Sequence, residues 1–269
     1  MSLAATLAAT LAQLASEAKR RHPDIKEAAD RQAALLKVYK GRAESDIIDA
    51  LRHSKDTLKP YALACQSNQG KLIALGVDGI HQLTLRKAFD KHLVSVATHA
   101  LKAASPYSDV QLRVLQCMTA LYSGYANVHG EALQDLLEVG LGLSYSAALS
   151  HVFHGISSSE SVAPIASASV RQLISSVFDK LWVEPTQQRS IHPDWDDIDQ
   201  DSQLKDAQNI LSDLLCLCNV DAKERQHIQW AILPTDDISL ETVLEMIELI
   251  LSSHASLIIH VLLSNVHVC

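Results

Sequence analysis

Residues 166–181, ASASVRQLISSVFDKL, set Val170, Leu173, Ile174, Val177, Phe178 and Leu181 at i, i+3, i+4, i+7, i+8 and i+11. A helix with 3.6 residues per turn carries all six on one side, whereas a strand would scatter them over both faces. The same spacing recurs in Leu240, Val243, Leu244, Ile247 and Leu251, and in Val114, Leu115, Met118, Leu121, Tyr122 and Tyr125. Between such stripes lie short breaks with helix punctuation: His22-Pro23, residues 67–70 (SNQG), Ser105-Pro106 and residues 127–130 (NVHG). No sustained period-two run interrupts them. The pattern predicts an all-α chain with helices near 2–21, 24–40, 45–53, 55–66, 71–86, 88–104, 108–125, 130–150, 160–183, 202–219, 223–232, 239–253 and 255–267.

Composition agrees. Of 269 residues, 48% are hydrophobic but only 4% aromatic, with 9 Gly and 7 Pro, which leaves too few aromatics and glycine turns for a sandwich, barrel or Rossmann-type sheet. Short connections between successive amphipathic helices point to an armadillo/HEAT-like α-solenoid of antiparallel helix pairs, with a compact helical bundle as the alternative. The clearest boundary is residues 184–203, EPTQQRSIHPDWDDIDQDSQ, whose prolines and acids predict an exposed connection between a domain at 1–183 and the start of another at 204–269. Ser157 to Glu160 reads as a second loop. The apolar stripe running to Cys269 without a cap suggests a piece of a longer protein.

Charge is uneven along the chain. The formal total is −8, against a general nucleic-acid binder. Residues 1–102 hold 16 Lys and Arg against 10 Asp and Glu, and residues 103–269 hold 7 against 21. A basic front and an acidic back are either two solvated faces or a polarity that meets an anionic membrane basic end first. Five scattered cysteines in apolar surroundings (Cys65, Cys117, Cys216, Cys218, Cys269) suit buried free thiols in a reducing compartment. The apolar N-terminus precedes its charges, the reverse of a secretory signal, and Glu248, Ser252, Ser253, His254 and His260 break the C-terminal apolar stretch. These features predict a cytosolic chain.

Chemical motifs are sparse. His151 and His154 share a helix face but lack the glutamate and third ligand of a metal site. His254, His260 and His267 spread around a helix. Cys216 and Cys218 point to opposite sides of one, which favours core cysteines over a bridge. Gly140-Leu-Gly142 lacks its third glycine and a preceding strand, Gly70-Lys71 has no P-loop context, and no GxSxG occurs. No catalytic residue, cofactor site or metal site is expected.

Two N-terminal features carry more information. Leu3, Leu7, Leu11 and Leu14 form a narrow leucine stripe among alanines, suited either to self-association or to packing of a first helix on the second. Lys19, Arg20, Arg21 and Lys26 cluster just beyond it and could contact an acidic partner or lipid headgroups, or simply complement a helix C-terminus.

Residues 14–30, LASEAKRRHPDIKEAAD, resemble the opening signature of the monensin-sensitivity family of Golgi and endosome trafficking scaffolds, the non-catalytic relatives of the large Arf guanine-nucleotide exchange factors. Residues 166–178 resemble the helix that closes that family's N-terminal domain, and residues 127–133, NVHGEAL, a shorter inter-helix element. Residues 203–263 look like the first helices of its homology-upstream module. The resemblance implies a dimerisation and cyclophilin-binding (DCB) domain built as an α-solenoid, with no exchange activity. It further implies peripheral recruitment to the trans-Golgi network and endosomes, a homodimer or higher self-association, and partnership with Arf-like small GTPases and dopey-family proteins. The acidic connection at 184–203 has no counterpart in that pattern. A regulatory fragment of a catalytic Arf exchange factor shares the architecture, and an unrelated HEAT-type adaptor is the third reading; KRRHPDIKEAA favours the non-catalytic branch.

Overall fold

The structure, a computed structural model, describes residues 3–19, 21–39, 41–153, 162–182, 200–220, 231–233 and 238–265. Its helices are α1 (Leu3–Ala18), α2 (Pro23–Val38), α3 (Glu44–His53), α4 (Lys59–Cys65), α5 (Gly70–Leu85), α6 (Val94–Ala104), α7 (Gln111–Gly124), α8 (Glu131–Phe153), α9 (Val162–Trp182), α10 (Gln200–Asn219) and α11 (Leu240–Asn265). Single 3-10 turns at Lys91–Leu93 and Ser108–Val110 lead into α6 and α7. The described residues contain no strand. The fold is the all-α, armadillo/HEAT-like stacking of helix pairs that the periodicity predicts, and its contacts fall into two compact units, Met1–Val128 and His129–Cys269.

In the first unit, α1 packs on α2 and α5, and α5 also packs on α4 and α7. The leucine stripe is consumed here. Leu7, Leu11 and Leu14 are 0–1% exposed, so they supply core to their own chain. This favours the packing of a first helix on the second, because alanines on both helices let α2 approach closely enough to cover these three positions. The Leu3 side chain lies outside the described residues. Proline sets two helix starts, Pro23 in the first turn of α2 and Pro60 in that of α4, where its missing N–H has no helical partner to lose.

The tightest contact in this unit is made by glycine. A Cβ added to Gly79 on α5 would stand 2.1 Å from two ring carbons of Tyr61 on α4, and one on Gly76 would stand 2.8 Å from the Tyr61 carbonyl oxygen. Tyr61 is 1% exposed, so α4 and α5 meet at a distance that only glycine permits. Nearby, Phe89 stacks on Tyr125 with centroids 4.6 Å apart and planes 12° from parallel.

In the second unit, α9 packs on α8, α10 and α11, and α10 packs on α11. The α9 stripe that decides the fold class is buried as expected at Val170, Leu173, Ile174, Val177 and Phe178. Helix α10 departs from the expectation. It begins at Gln200, inside the segment read as an exposed connection, and Gln203 is buried. Residues 184–199, the loop at 157–160, and residues 223–230 of the expected helix at 223–232 lie outside the described residues. The two helices expected at 239–253 and 255–267 meet at His254, whose non-helical backbone (φ −134°, ψ 28°) kinks the element numbered α11 where the sequence places the break. The buried His254 ring stacks on Phe178 at 5.8 Å with its Nε2 3.5 Å from Asp179 Oδ1, which seats the kink on α9.

Cys65 and Cys117 are buried thiols, whereas Cys216 is half-buried and Cys218 exposed. The expectation of core cysteines fails at the latter two because Leu214 and Leu217 occupy the inward face of α10.

Candidate functional site: a basic recess beside the first helix turn

Helix α1 stops at Ala18 because Lys19 turns into the left-handed region, φ 37°. The Ala18 carbonyl then accepts from both the Arg21 and the His22 backbone N–H groups at 3.1 Å, which satisfies the helix end and reverses the chain into α2. Left-handed backbone at a lysine is disfavoured by roughly 1–2 kcal/mol, so the turn is held by its surroundings. Pro23 presets the first turn of α2, and Ile25, Ala28 and Ala29 bury its inner face, leaving Lys26 exposed.

The two segments and the α4–α5 turn border an open recess of about 780 Å³ lined by Ala15, Ser16, Glu17, Ala18, Lys19, Arg21, Lys26 and Gln69. Gln69 is positioned by a pinned turn. Asn68 adopts φ 54° and accepts a 3.0 Å hydrogen bond from the Tyr107 hydroxyl, and Ser67 Oγ bonds the Ala64 carbonyl at 2.7 Å. Three of the four basic residues singled out in the sequence thus share one concavity. Arg20 lies outside the described residues.

These cations differ from most of the described arginines. Arg31 pairs with Glu27 and Asp56, Arg86 with Glu44, Arg113 with Asp78 and Arg171 with Glu245. None of the ion pairs among the described residues uses Lys19, Arg21 or Lys26. Chemically the recess can receive an anion. Its one acid, Glu17, leaves an excess of positive charge, and among the described residues no group of three His, Cys, Asp or Glu side chains is placed to hold a metal. Of the histidines weighed as ligands, His154 and His267 lie outside the described residues, and His254 is packed on Phe178.

A second polar constellation, on α10, had no functional reading in the sequence. Asp206 Oδ1 accepts from the Gly130 N–H at 3.0 Å while its Oδ2 lies 2.9 Å from His129 Nδ1, tying the start of α8 to α10. Two turns on, Asp213 accepts from the N–H groups of Ala231, Ile232 and Leu233 at 3.1, 2.8 and 2.9 Å. Burial pushes the Lys180 ammonium down to about 7, against an opposing pull from Asp206. The available signal is two acids seven residues apart on the same side as Ala207, Ile210, Leu214 and Leu217, an arrangement that a solvated acidic face does not produce.

Residues 1–185 match the family model described as Mon2/Sec7/BIG1-like, dimerisation and cyclophilin-binding (DCB) domain. The chain belongs to this family. It is 26% identical to Protein MON2 of Saccharomyces cerevisiae over 258 residues, 94% of this chain and 15% of that protein. It is 26% identical to Monensin-resistant homolog 2 of Caenorhabditis elegans over 182 residues, 66% of this chain and 10% of that protein. A human relative, Protein MON2 homolog, is 24% identical over 182 residues, covering 67% and 10% respectively. This DCB-family chain therefore spans 10–15% of the length of these relatives. No solved structure matches it. Among the described residues no helix is long and apolar enough to cross a membrane.

Proposed function

We propose that the chain is a non-enzymatic scaffold module of Mon2 type, acting in vesicle traffic between the trans-Golgi network and endosomes. In this reading residues 1–183 are the DCB domain, 184–203 an acidic connection, and 204–269 the first helices of the homology-upstream module; the end of the family match at residue 185 supports that division. The module sits peripherally on membranes, self-associates, and binds an Arf-like GTPase and a dopey-family protein. Self-association uses a surface other than the buried stripe of Leu7, Leu11 and Leu14.

The observation that carries the reading at the level of this chain is the concentration in one recess of Lys19, Arg21 and Lys26, which enter none of the ion pairs among the described residues. Positive charge left without an internal partner favours encounter with an anionic surface. The test is a titration of the chain against Arf and Arf-like GTPases loaded with GDP or a GTP analogue. Tighter binding to one GTP-loaded member is expected, and absence of binding to every loaded form removes the GTPase from this module. The matched relatives named MON2 favour the non-catalytic branch over a regulatory piece of an exchange factor. Faster nucleotide release from an Arf on adding the protein would reverse that choice.

A further inference from the structure

We infer that the recess between α1 and α2 is a binding site for a phosphorylated polyol, the chemistry of an inositol phosphate, free or as a lipid headgroup. The inference rests on the reading of this corner as anion-facing and goes further, to the class of ligand that fills it. Four features of the lining point there.

Three cations border it, and Arg21 offers a fork that grips two oxygens of one phosphate while Lys19 and Lys26 act as compact charges. The lining also holds a carboxylate, Glu17, with the Ser16 hydroxyl and the Gln69 amide. An acid beside a bare phosphate or sulfate is repulsive, but next to a ring hydroxyl it is a strong hydrogen-bond acceptor. The combination therefore discriminates for an anion that carries hydroxyls. Half-buried Ala15 supplies an apolar patch against which the C–H face of a saturated ring can lie. Size agrees as well, since about 780 Å³ falls in the ordinary range of small-ligand sites, roughly 300–1,000 Å³, and is far more than one tetrahedral anion fills. An acidic protein surface would meet the rim cations without using Ser16, Glu17 or Gln69.

The test uses the 269-residue chain in two arms. In the first, it is co-sedimented with phosphatidylcholine vesicles carrying a few mole per cent phosphatidylinositol monophosphate, against vesicles matched in charge with phosphatidylserine. In the second, inositol bisphosphate and inorganic phosphate are titrated calorimetrically. Phosphoinositide vesicles or inositol bisphosphate should be preferred about tenfold or more over their hydroxyl-poor counterparts, the scale of one charge-assisted hydrogen bond. Lys19→Glu with Arg21→Glu should abolish the preferred binding and Lys19→Glu alone should weaken it, whereas Lys37→Glu, the same single charge reversal at the far end of α2, should leave it. Glu17→Ala should narrow the preference by strengthening phosphate and phosphatidylserine binding. Binding in the soluble arm alone identifies a soluble ligand, and binding in the vesicle arm identifies the lipid. Equal binding to both vesicle types, equal loss with Lys37→Glu, or no binding in either arm overturns the inference. A GTPase that still binds through Lys19 and Arg21 would then leave the scaffold reading intact, and circular dichroism of each variant separates lost binding from lost folding.

Discussion

Replacing Gly79 with alanine tests the helix contact on which the first unit depends. An alanine normally stabilises a helix interior by about 1 kcal/mol relative to glycine, so helix propensity alone predicts a higher melting temperature. The packing predicts the opposite. The new methyl would stand 2.1 Å from Cδ1 and Cε1 of Tyr61, more than about 1 Å inside ordinary carbon–carbon contact. The Tyr61 ring is fully buried, so relief requires α4 and α5 to separate. Overpacking of this severity belongs at the top of the usual range, about 3 kcal/mol or more, leaving a net loss of about 2 kcal/mol after the helical gain. For a unit of this size that is a drop of roughly 5–10 °C in melting temperature. Far-UV circular dichroism is the right probe, because all three tryptophans (Trp182, Trp195, Trp230) belong to the second unit. Gly142→Ala is the control: nothing lies within 4 Å of the added carbon, so that variant should be stabilised by about 0.5–1 kcal/mol. On a Tyr61→Leu background Gly79→Ala should cost less than on the wild type. Unchanged or raised stability for Gly79→Ala would refute the close approach of α4 and α5.

Asp213→Ala removes the shared acceptor of three backbone N–H groups and should destabilise the second unit by about 2–4 kcal/mol in urea unfolding followed by tryptophan fluorescence, with Asp213→Asn retaining part of that. Lys180 should make the same unit more stable as pH rises above 7. The unfolded chain keeps that proton to about 10.5 and the folded chain releases it near 7, so unfolding takes up a proton between those values. Urea midpoints at pH 6.5, 7.5 and 8.5 should climb in the wild type and flatten in Lys180→Met. In the first unit the buried Cys117 thiol, pushed up from 9 to about 12, works in the opposite direction and costs stability as pH rises past 9. Lys19→Gly should relieve the left-handed strain and raise stability by about 0.5 kcal/mol while weakening anion binding, a separation read by thermal unfolding and vesicle co-sedimentation together.

Local periodicity made most of the helices legible, because the stripe on α9 and its counterparts on α7 and α11 obey one spacing whatever they pack against. Contacts between distant residues were not legible. Asp206 and Gly130 stand 76 residues apart, and nothing in the stretch around Asp206 announces that its carboxylate caps another helix. The same blindness left residues 200 and 201 out of α10, whereas the kink at His254 falls where Ser252, Ser253 and His254 break the apolar pattern. The leucine stripe was visible, but whether it faced α2 or a second copy depended on the alanines that draw α2 over it. For the recess, the sequence supplied the cations Lys19, Arg21 and Lys26, while Gln69 enters only because the α4–α5 turn folds beside them.

The central claim is that the corner formed by Lys19, Arg21 and Lys26 is the surface through which this module meets its anionic partner. Flotation of the chain with Golgi- and endosome-enriched membranes, comparing the wild type with Lys19→Glu/Arg21→Glu, tests it directly. The wild type should float and the variant should stay in solution with an unchanged melting temperature. A variant that folds normally and floats as well as the wild type would contradict the claim and move recruitment to another part of the protein.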